Sequence, residues 1–203
     1  MAFPAADASD PGGRSGRAGA GAHRGGRDVL RRGRHLDAAG LAGGGALAAV
    51  RGHCVGGGAQ LAAACDLRFA EEGALFGVTP AKLGIVYPAS STRRLVSLVG
   101  PATAKYLLFS GELIDAGRAL RSGLADEVLP RGELGKRVAE FTRILVSRSQ
   151  LTQAAAKEFA DGRTDRDAHW AGQARASGDT AEGVAAFLER RQPRFGWSVP
   201  TSA

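Results

Sequence analysis

Three consecutive glycines, Gly56 to Gly58, are the part of this sequence best suited to chemistry. They lie between a short apolar stretch that ends at residue 55 and a helix-like run over 59–65. Glycine lets the backbone adopt positive φ angles and approach a ligand closely. The first turn of a helix also leaves N–H groups unpaired, at the positive end of the helix dipole. Such a corner can bind a phosphate or stabilise an oxyanion, and a tight turn needed only for packing is the structural alternative.

Two common phosphate-binding motifs do not fit these glycines. A P-loop needs Gly-Lys-Ser/Thr at the end of its glycine-rich loop, and no such sequence follows here. The dinucleotide-binding motif needs a third glycine where this chain has Leu61. The chemical interpretation that is left is an oxyanion or simple anion site.

Several other reactive side chains lie close to the glycines in sequence. His53 stands on the preceding apolar strand, which predicts a core histidine rather than a catalytic one. Glu71 and Glu72 follow the next strand, where we expect an exposed turn. Cys54 and Cys65 are too few for a disulfide framework or a four-ligand zinc site, and they are predicted to be small core residues.

The chain is predicted to divide into three segments. Residues 1–46 are rich in Ala, Gly and Arg and lack Glu, Lys and any sustained apolar period, so we expect a disordered or non-native segment. Residues 47–145 mix short strands with helices, which predicts an α/β core. Residues 146–203 are predicted to form a C-terminal helical region.

Local patterns predict individual helices. The apolar stripe over 134–145 has helical spacing and indicates a long amphipathic helix. The Gly-Pro pair at 100–101 separates two shorter helices. Asp115 is a predicted N-cap, and Asp179 with Glu182 predicts a capping box at the last helix.

Composition limits the function classes. The 203 residues are 44% hydrophobic and 23% charged, as in an ordinary globular protein. No apolar run is long enough for a membrane span and no secretory h-region is seen, so we expect a cytoplasmic protein without a membrane partner. The net charge of +7 would suit a polyanion, but only four of the 27 basic residues are lysines. Since Arg, Ala and Gly share GC-rich codons, genome composition explains the charge better than nucleic-acid binding does.

Four segments of the chain resemble one known family. They are AAVRGHCVGGGAQLAAACDLRFAEE, ALFGVTPAKLGI, GPATAKYLLFSGELIDAGRALRSGLADEVL and DTAEGVAAFLERRQPRF, in this order. Together they make most of the chain after residue 46 resemble the crotonase superfamily, the enoyl-CoA hydratase/isomerase family. The chain is interpreted as an N-terminally truncated or frameshifted member.

The resemblance implies a fold and a site. The fold would be a partial crotonase-like spiral of ββα units, and the C-terminal helices would drive assembly into a homo-trimer or hexamer. The substrate would be a coenzyme A thioester, with no metal and no redox cofactor. An oxyanion hole, to which Gly57 gives one backbone N–H, would stabilise a thioester enolate. Gly56 and Tyr87 would contact the substrate.

Two positions depart from the family pattern. Hydratases of the family carry two glutamates that position and activate water, and the matching positions here hold Gln60 and Pro80. Glutamine can hydrogen-bond to water but cannot take its proton, and proline can do neither. Tyr87 is a candidate donor, with a packed aromatic as the structural alternative. We therefore expect acyl-CoA processing without ordinary hydratase activity.

Two other functions stay open. A crotonase-like remnant without both carboxylates could be non-catalytic and bind acyl-CoA or an intact paralogue. An Arg-rich N-terminus could instead bind nucleic acid, with an affinity that falls steeply with salt.

The N-terminal segment suggests a further hypothesis. The family supplies its second oxyanion N–H from an Ala-Gly-Ala-Asp-like turn, which residues 1–46 lack. With GC-rich codons for residues 23–41, translation one base later gives T-G-A-G-G-T-F-C-A-G-A-D, which contains such a turn. We therefore hypothesise that residues 14–43 are a frameshifted translation, and sequencing the coding DNA tests this.

Overall fold

The computed structural model describes residues 36–198. The predictions for residues 1–35, including most of the hypothesised frameshift, lie outside the described residues. Within the described range the strands are β1 (Leu36–Gly40), β2 (Ala46–Val50), β3 (His53–Val55), β4 (Leu67–Glu71), β5 (Leu75–Gly77), β6 (Leu113–Asp115) and β7 (Glu127–Leu129).

The helices follow the strands and become dominant towards the C-terminus. They are α1 (Gly57–Ala64), α2 (Pro80–Leu83), α3 (Ala89–Ser110), α4 (Ala116–Ser122), α5 (Leu134–Val146), α6 (Gln150–Ala160), α7 (Asp167–Ser177) and α8 (Asp179–Leu188), with short 3-10 helices at Ala42–Gly44 and Thr164–Arg166. The predicted order, an α/β core followed by a helical region, is confirmed.

The seven described strands are divided between two sheets. One sheet has the order β1-β2-β4-β7 and the other has the order β3-β5-β6. Each of the pairs β2–β3 and β4–β5 sends its first strand to one sheet and its second to the other, and a helix follows each pair. The core is therefore built from ββα units.

The strand β2 lies inside its sheet and leads to the glycines. Its residues Leu47, Ala48 and Val50 are fully buried, as expected for a strand covered on both faces. It pairs in parallel with β4 and antiparallel with β1. The partner β1 covers residues 36–40 of the segment predicted to be disordered or non-native, so the ordered part begins before the predicted boundary at residue 46.

The predicted helix over 134–145 is confirmed as α5, which closes one face of the larger sheet. Leu134 is fully buried and packs with Leu47 and Phe69. The rings of Phe69 and Phe141 meet edge to face, with centroids 5.3 Å apart. This contact fixes β4, the strand that follows α1.

The predicted break at 100–101 and the predicted N-cap at Asp115 are both confirmed. Gly100 has φ 74° and ψ 164° inside α3, and Pro101 begins the second half of that helix. The Asp115 carboxylate accepts a hydrogen bond from Arg118 N at 2.6 Å. Local signals of this kind depend on few neighbours, which explains their success.

The predicted capping box at the last helix is wrong. Gly178, rather than Asp179, is the N-cap of α8. The Asp179 carboxylate is buried and accepts hydrogen bonds from Ser149 Oγ at 2.7 Å and from the Gly196 and Trp197 amides at 3.3 and 3.4 Å. Its tertiary partners override the local capping pattern, and they tie the C-terminal segment to α6 and α8. No helix among residues 36–198 has the length and apolar character to cross a bilayer.

Candidate active site

The three glycines form a sharp corner between β3 and α1, which we call the glycine corner (Gly56–Gly58). Gly56 has φ 59° and ψ −118°, a conformation that side chains disfavour. Its amide donates to Gly77 O at 3.0 Å, and its carbonyl accepts the Gln60 amide at 3.1 Å. The corner is thus held from both sides by backbone hydrogen bonds.

The amide of Gly57 is available to a ligand. Gly57 is the first residue of α1, and no side chain caps this helix. Among the hydrogen bonds of residues 36–198, none uses the Gly57 N–H as a donor. A Cβ placed on Gly57 or on Gly58 would meet no atom within 4 Å. The corner therefore presents an unpaired donor, at a helix N-terminus, to open space.

Two hydroxyls face the same corner. A Cβ placed on Gly56 would stand 3.9 Å from Thr79 Oγ1 and 3.9 Å from Tyr87 Oη. Tyr87 is half-buried and packs against the main core. The structure thus brings together Gly56 and Tyr87, which the sequence analysis placed at the substrate, and adds Thr79, which it missed.

Gln60 lies one turn after Gly57 on α1 and faces a small cavity. Ser91 Oγ donates a hydrogen bond to Gln60 Oε1 at 3.2 Å. The cavity has a volume of about 20 Å³, which is enough for about one water molecule. Its polar groups come from Gln60, Tyr87, Ser91 and Thr92, and its remaining lining is apolar. Sequence reasoning missed Ser91, because only the folded chain brings α3 against α1.

Pro80 is buried at the first position of α2, where proline suits a helix. Its carbonyl accepts the Ile85 amide at 3.1 Å, and its ring offers no proton-transfer group. The contacts of Pro80 therefore serve the start of α2 and the turn that follows it.

The nearby acidic residues serve other contacts. The Glu71 carboxylate accepts the Gly132 amide at 2.9 Å and lies 3.9 Å from Arg51 Nε. Glu72 is exposed. Neither residue lines the cavity beside Gln60. The prediction of an exposed turn is confirmed for Glu72 and wrong for Glu71, which is half-buried as the last residue of β4.

The predicted core histidine is wrong, because His53 is exposed on β3. The strand has only three residues, and its alternation turns Cys54 inward and His53 outward. The prediction of small core residues is confirmed for Cys54, which is buried, whereas Cys65 is only half-buried. No cluster of three or more His, Cys, Asp or Glu side chains within 36–198 could hold a metal ion.

We expect the Cys54 thiol to make the free energy of unfolding fall as pH rises in the alkaline range. Burial, with a smaller contribution from Cys65, raises the pKa of Cys54 to about 12. The unfolded chain then loses this proton near pH 9 while the folded chain keeps it, so stability falls as pH rises from there towards 12. Urea unfolding should show a free energy of unfolding that falls more steeply above pH 9 than in Cys54→Ala, by up to about 1.4 kcal/mol per pH unit. Equal slopes in the two proteins would contradict the assignment.

A larger cleft lies elsewhere. It has a volume of about 750 Å³ between the end of α1 and α6, and Cys65, Asp66, Arg94 and Lys157 contribute to its lining. The Lys157 ammonium pairs with the Asp66 carboxylate there. The glycine corner, Gln60 and Tyr87 do not line this cleft. The volume of this cleft therefore does not locate the candidate site. The site is located by the unpaired Gly57 amide and the hydroxyls beside it.

Comparison with known proteins places this geometry in context. The sequence model of the enoyl-CoA hydratase/isomerase family matches residues 45–197. The crotonyl-CoA hydratase of Syntrophomonas wolfei is 39% identical over 157 residues, which cover 73% of this chain and 60% of that protein. The 2,3-dehydroadipyl-CoA hydratase of Escherichia coli is 35% identical over 158 residues, covering 73% of this chain and 62% of that protein.

Solved structures agree with the sequence matches. The crystal structure of an enoyl-CoA hydratase/isomerase family protein from Hyphomonas neptunium superposes with a TM-score of 0.70 and 40% identity, covering 74% of this chain and 60% of that one. The chain thus spans only about 60% of the length of the relatives that it matches.

Proposed function

The chain belongs to the enoyl-CoA hydratase/isomerase family, and on that premise we propose that it is an acyl-CoA-processing enzyme that stabilises a thioester enolate at the glycine corner. The observation that carries this proposal is the unpaired, accessible amide of Gly57 at the first turn of α1. An enolate oxygen gains most from a fixed donor that needs no reorganisation. Gly57 is therefore the proposed oxyanion donor.

The roles of the other site residues follow from their contacts. Tyr87 Oη and the Gly56 backbone face each other across the corner, which supports contact of both with the substrate. Gln60 and Pro80 hold the places of the family's two glutamates without a carboxylate. The proposed reaction is therefore not the ordinary glutamate-dependent addition of water.

Exposed side chains and free cysteines support the proposed oligomer and compartment. Exposed apolar side chains on α8, namely Val184, Phe187 and Leu188, favour burial against another copy in a homo-trimer or hexamer. Free cysteines suit a reducing compartment, which supports the cytoplasm. The absence of any cofactor beyond the coenzyme A thioester stays a prediction.

Binding of two ligands to the purified full chain tests the proposal. One ligand is butyryl-CoA, and the other is a coenzyme A thioether whose nitronate group replaces the enolate. Since an enolate-stabilising site favours the charged mimic, calorimetry should give the nitronate an affinity at least about 10²-fold higher. If neither ligand binds, the proposal is wrong.

The second candidate function is a non-catalytic remnant that binds acyl-CoA or an intact paralogue. The lack of a carboxylate at Gln60 and Pro80 favours it. This candidate predicts equal affinities for butyryl-CoA and the nitronate, because no group would be arranged for the enolate charge. The same titration therefore separates the two functions.

A further inference from the structure

The larger sheet ends at β1, whose outer edge has no neighbouring strand among residues 36–198. β1 pairs with β2 on one side only. An edge strand presents a row of backbone N–H and C=O groups, to which another strand can add. The outer edge of β1 is therefore a candidate surface for strand addition.

Hydrogen bonds at the end of the β1–β2 ladder show how its residue pairs alternate. Leu41 N donates to Gly45 O at 2.7 Å, so this pair is bonded across the turn that joins the two strands. The next pair is Gly40 with Ala46. The backbone of Ala46 bonds to Asp66 instead, through its N–H to Oδ2 at 2.6 Å and its carbonyl to the amide at 2.9 Å. The pair of Gly40 and Ala46 is therefore the non-bonded kind.

The same alternation assigns a direction to each residue of β1. Bonded and non-bonded pairs follow one another along an antiparallel ladder. Asp37 and Ala39 therefore bond to β2, and the outward N–H and C=O groups belong to Leu36, Ala38 and Gly40. Ala38 and Gly40 are exposed, in agreement with this assignment.

The strand lacks the features that usually prevent strand addition. Its sequence, Leu-Asp-Ala-Ala-Gly, contains neither proline nor lysine. Its pairs with β2 run from residue 36 to residue 40 without a bulge. Proline, lysine and bulges are common protections of a sheet edge. The small side chains over 38–40 also leave room for another backbone.

The outward groups of β1 are complementary to those of an antiparallel second copy. With the two strands centred on Ala38, Leu36 lies opposite Gly40 of the second copy, and Ala38 lies opposite Ala38. Each outward N–H and C=O group then meets an outward group, which gives about six hydrogen bonds. Because the arrangement is twofold-symmetric, it closes at two copies.

Asp37 favours this register over its neighbours. In the centred register Asp37 lies opposite Ala39 of the second copy, and Arg51 of its own chain pairs with it at 3.1 Å. A slip of two residues in one direction would bring two Asp37 side chains directly opposite each other, where like charges repel. A slip in the other direction would pair fewer outward groups. The position of the single charged side chain on β1 therefore favours one register of a second copy.

We propose that two copies of this chain associate through the outer edges of their β1 strands, so that two four-stranded sheets form one continuous sheet. A contact this short predicts a weak, reversible association. It uses other residues than the apolar side chains of α8 that support the proposed homo-trimer or hexamer. It also needs no acyl-CoA ligand, so it goes beyond the proposed function and does not depend on it.

Cysteine cross-linking of the full chain tests the contact and its register. In a bonded pair the Cα atoms lie about 5.5 Å apart, within the span of a disulfide. Ala38→Cys, in a Cys65→Ser background, should therefore form a covalent dimer under mild oxidation. Ala39→Cys should form at least about tenfold less, because position 39 lies opposite position 37 of the second copy and about 7–8 Å from its own equivalent. Ala102→Cys, which is exposed on α3, measures the yield from random collision.

A proline at the same position tests the hydrogen bonds of the edge. Ala38→Pro removes an outward N–H and keeps the bonds of Asp37 and Ala39 to β2, as edge strands tolerate. Sedimentation equilibrium should show a dissociation constant at least about tenfold higher than that of the wild type. Ala38→Val is the matched control, since it enlarges the side chain but keeps the N–H, and it should associate like the wild type. The melting temperature of each variant checks that it folds.

Each other outcome contradicts a stated part of the proposal. No cross-link at position 38 above the yield at position 102 would overturn the contact, whether the edge stays in water or is covered by another part of the same chain. Equal yields at positions 38 and 39 would overturn the register. Phe187→Ser on α8 should leave the cross-link at position 38 unchanged, and its loss would show that α8 brings the copies together. Failure of this inference would leave the ligand titrations of the proposed function unaffected.

Discussion

Gly57→Pro is expected to lower the affinity for the nitronate analogue by about 10²–10³-fold, because it removes the amide hydrogen that would hold the enolate oxygen. Butyryl-CoA, which carries no enolate charge, should lose much less affinity. Calorimetric titration of the two ligands measures both changes. A parallel loss for the two ligands would instead indicate that the substitution blocks access to the corner.

Proline is suited to this position for reasons of local geometry. Gly57 is the first residue of α1, where proline's fixed φ angle fits a helix and its missing N–H costs no intrahelical bond. The residue before a proline must avoid the helical region, and Gly56 has ψ −118°, well away from it. A Cβ at Gly57 would meet no atom within 4 Å. The variant should therefore fold, and its melting temperature checks this.

Gly57→Ala is the matched control, since alanine adds the same Cβ but keeps the amide hydrogen. It should bind the nitronate like the wild type. Gly58→Ala, which also adds its Cβ in open space, should do so too. If Gly57→Ala and Gly57→Pro lose affinity equally, the Gly57 amide is not the oxyanion donor.

The sequence predicted those parts of the site that depend on neighbouring residues. The corner at Gly56 and the start of α1 follow from three glycines between a strand and a helix. The placement of Tyr87 beside Gly56 depends on how the segment after β5 returns over the corner. A sequence pattern does not say how close two residues come when the chain folds back in this way. The expectation that Tyr87 contacts the substrate therefore comes from the family resemblance and not from periodicity.

The wrong predictions also concern residues whose surroundings cannot be derived from local sequence alone. Asp179 has the pattern of a helix cap, yet its buried carboxylate serves Ser149 and two C-terminal amides. His53 lies on an apolar strand whose alternation turns it outward. The segment at Leu36–Gly40 has a composition typical of disorder, but pairing with β2 makes it a strand. For Asp179 and for Leu36–Gly40 a tertiary partner decides the outcome, and for His53 the direction of alternation on its strand does.

The largest expected loss of stability comes from Asp126→Ala. The Arg68 side chain is only 3% exposed, and its NH2 atom lies 3.0 Å from Asp126 Oδ2. The same carboxylate accepts the Arg68 backbone amide at 2.6 Å. Without Asp126, the buried guanidinium loses its charged partner and the strand amide loses its acceptor. Arg68 Nε has no hydrogen-bond partner in the described structure even when Asp126 is present.

The size of this loss follows from the burial of the pair. Removing one partner of a fully buried ion pair costs about 3–5 kcal/mol. Because Asp126 remains 32% exposed, solvent screening reduces the expected loss to about 2–3 kcal/mol. In a protein of this size the melting temperature should fall by about 4–12 °C. Urea unfolding and thermal melting monitored by circular dichroism measure the two quantities.

Two further variants separate the buried charge from other effects of the substitution. Glu133→Ala breaks an exposed pair with Lys136 that spans 3.9 Å, and it should leave stability nearly unchanged. Arg68→Met in the Asp126→Ala background removes the unpaired charge, so the double variant should be more stable than Asp126→Ala alone. A double variant less stable than the single one would show that Arg68 stabilises mainly through its bond to the Cys65 carbonyl, at 2.7 Å. That bond joins β4 to the end of α1, the helix whose first residue carries the proposed oxyanion donor.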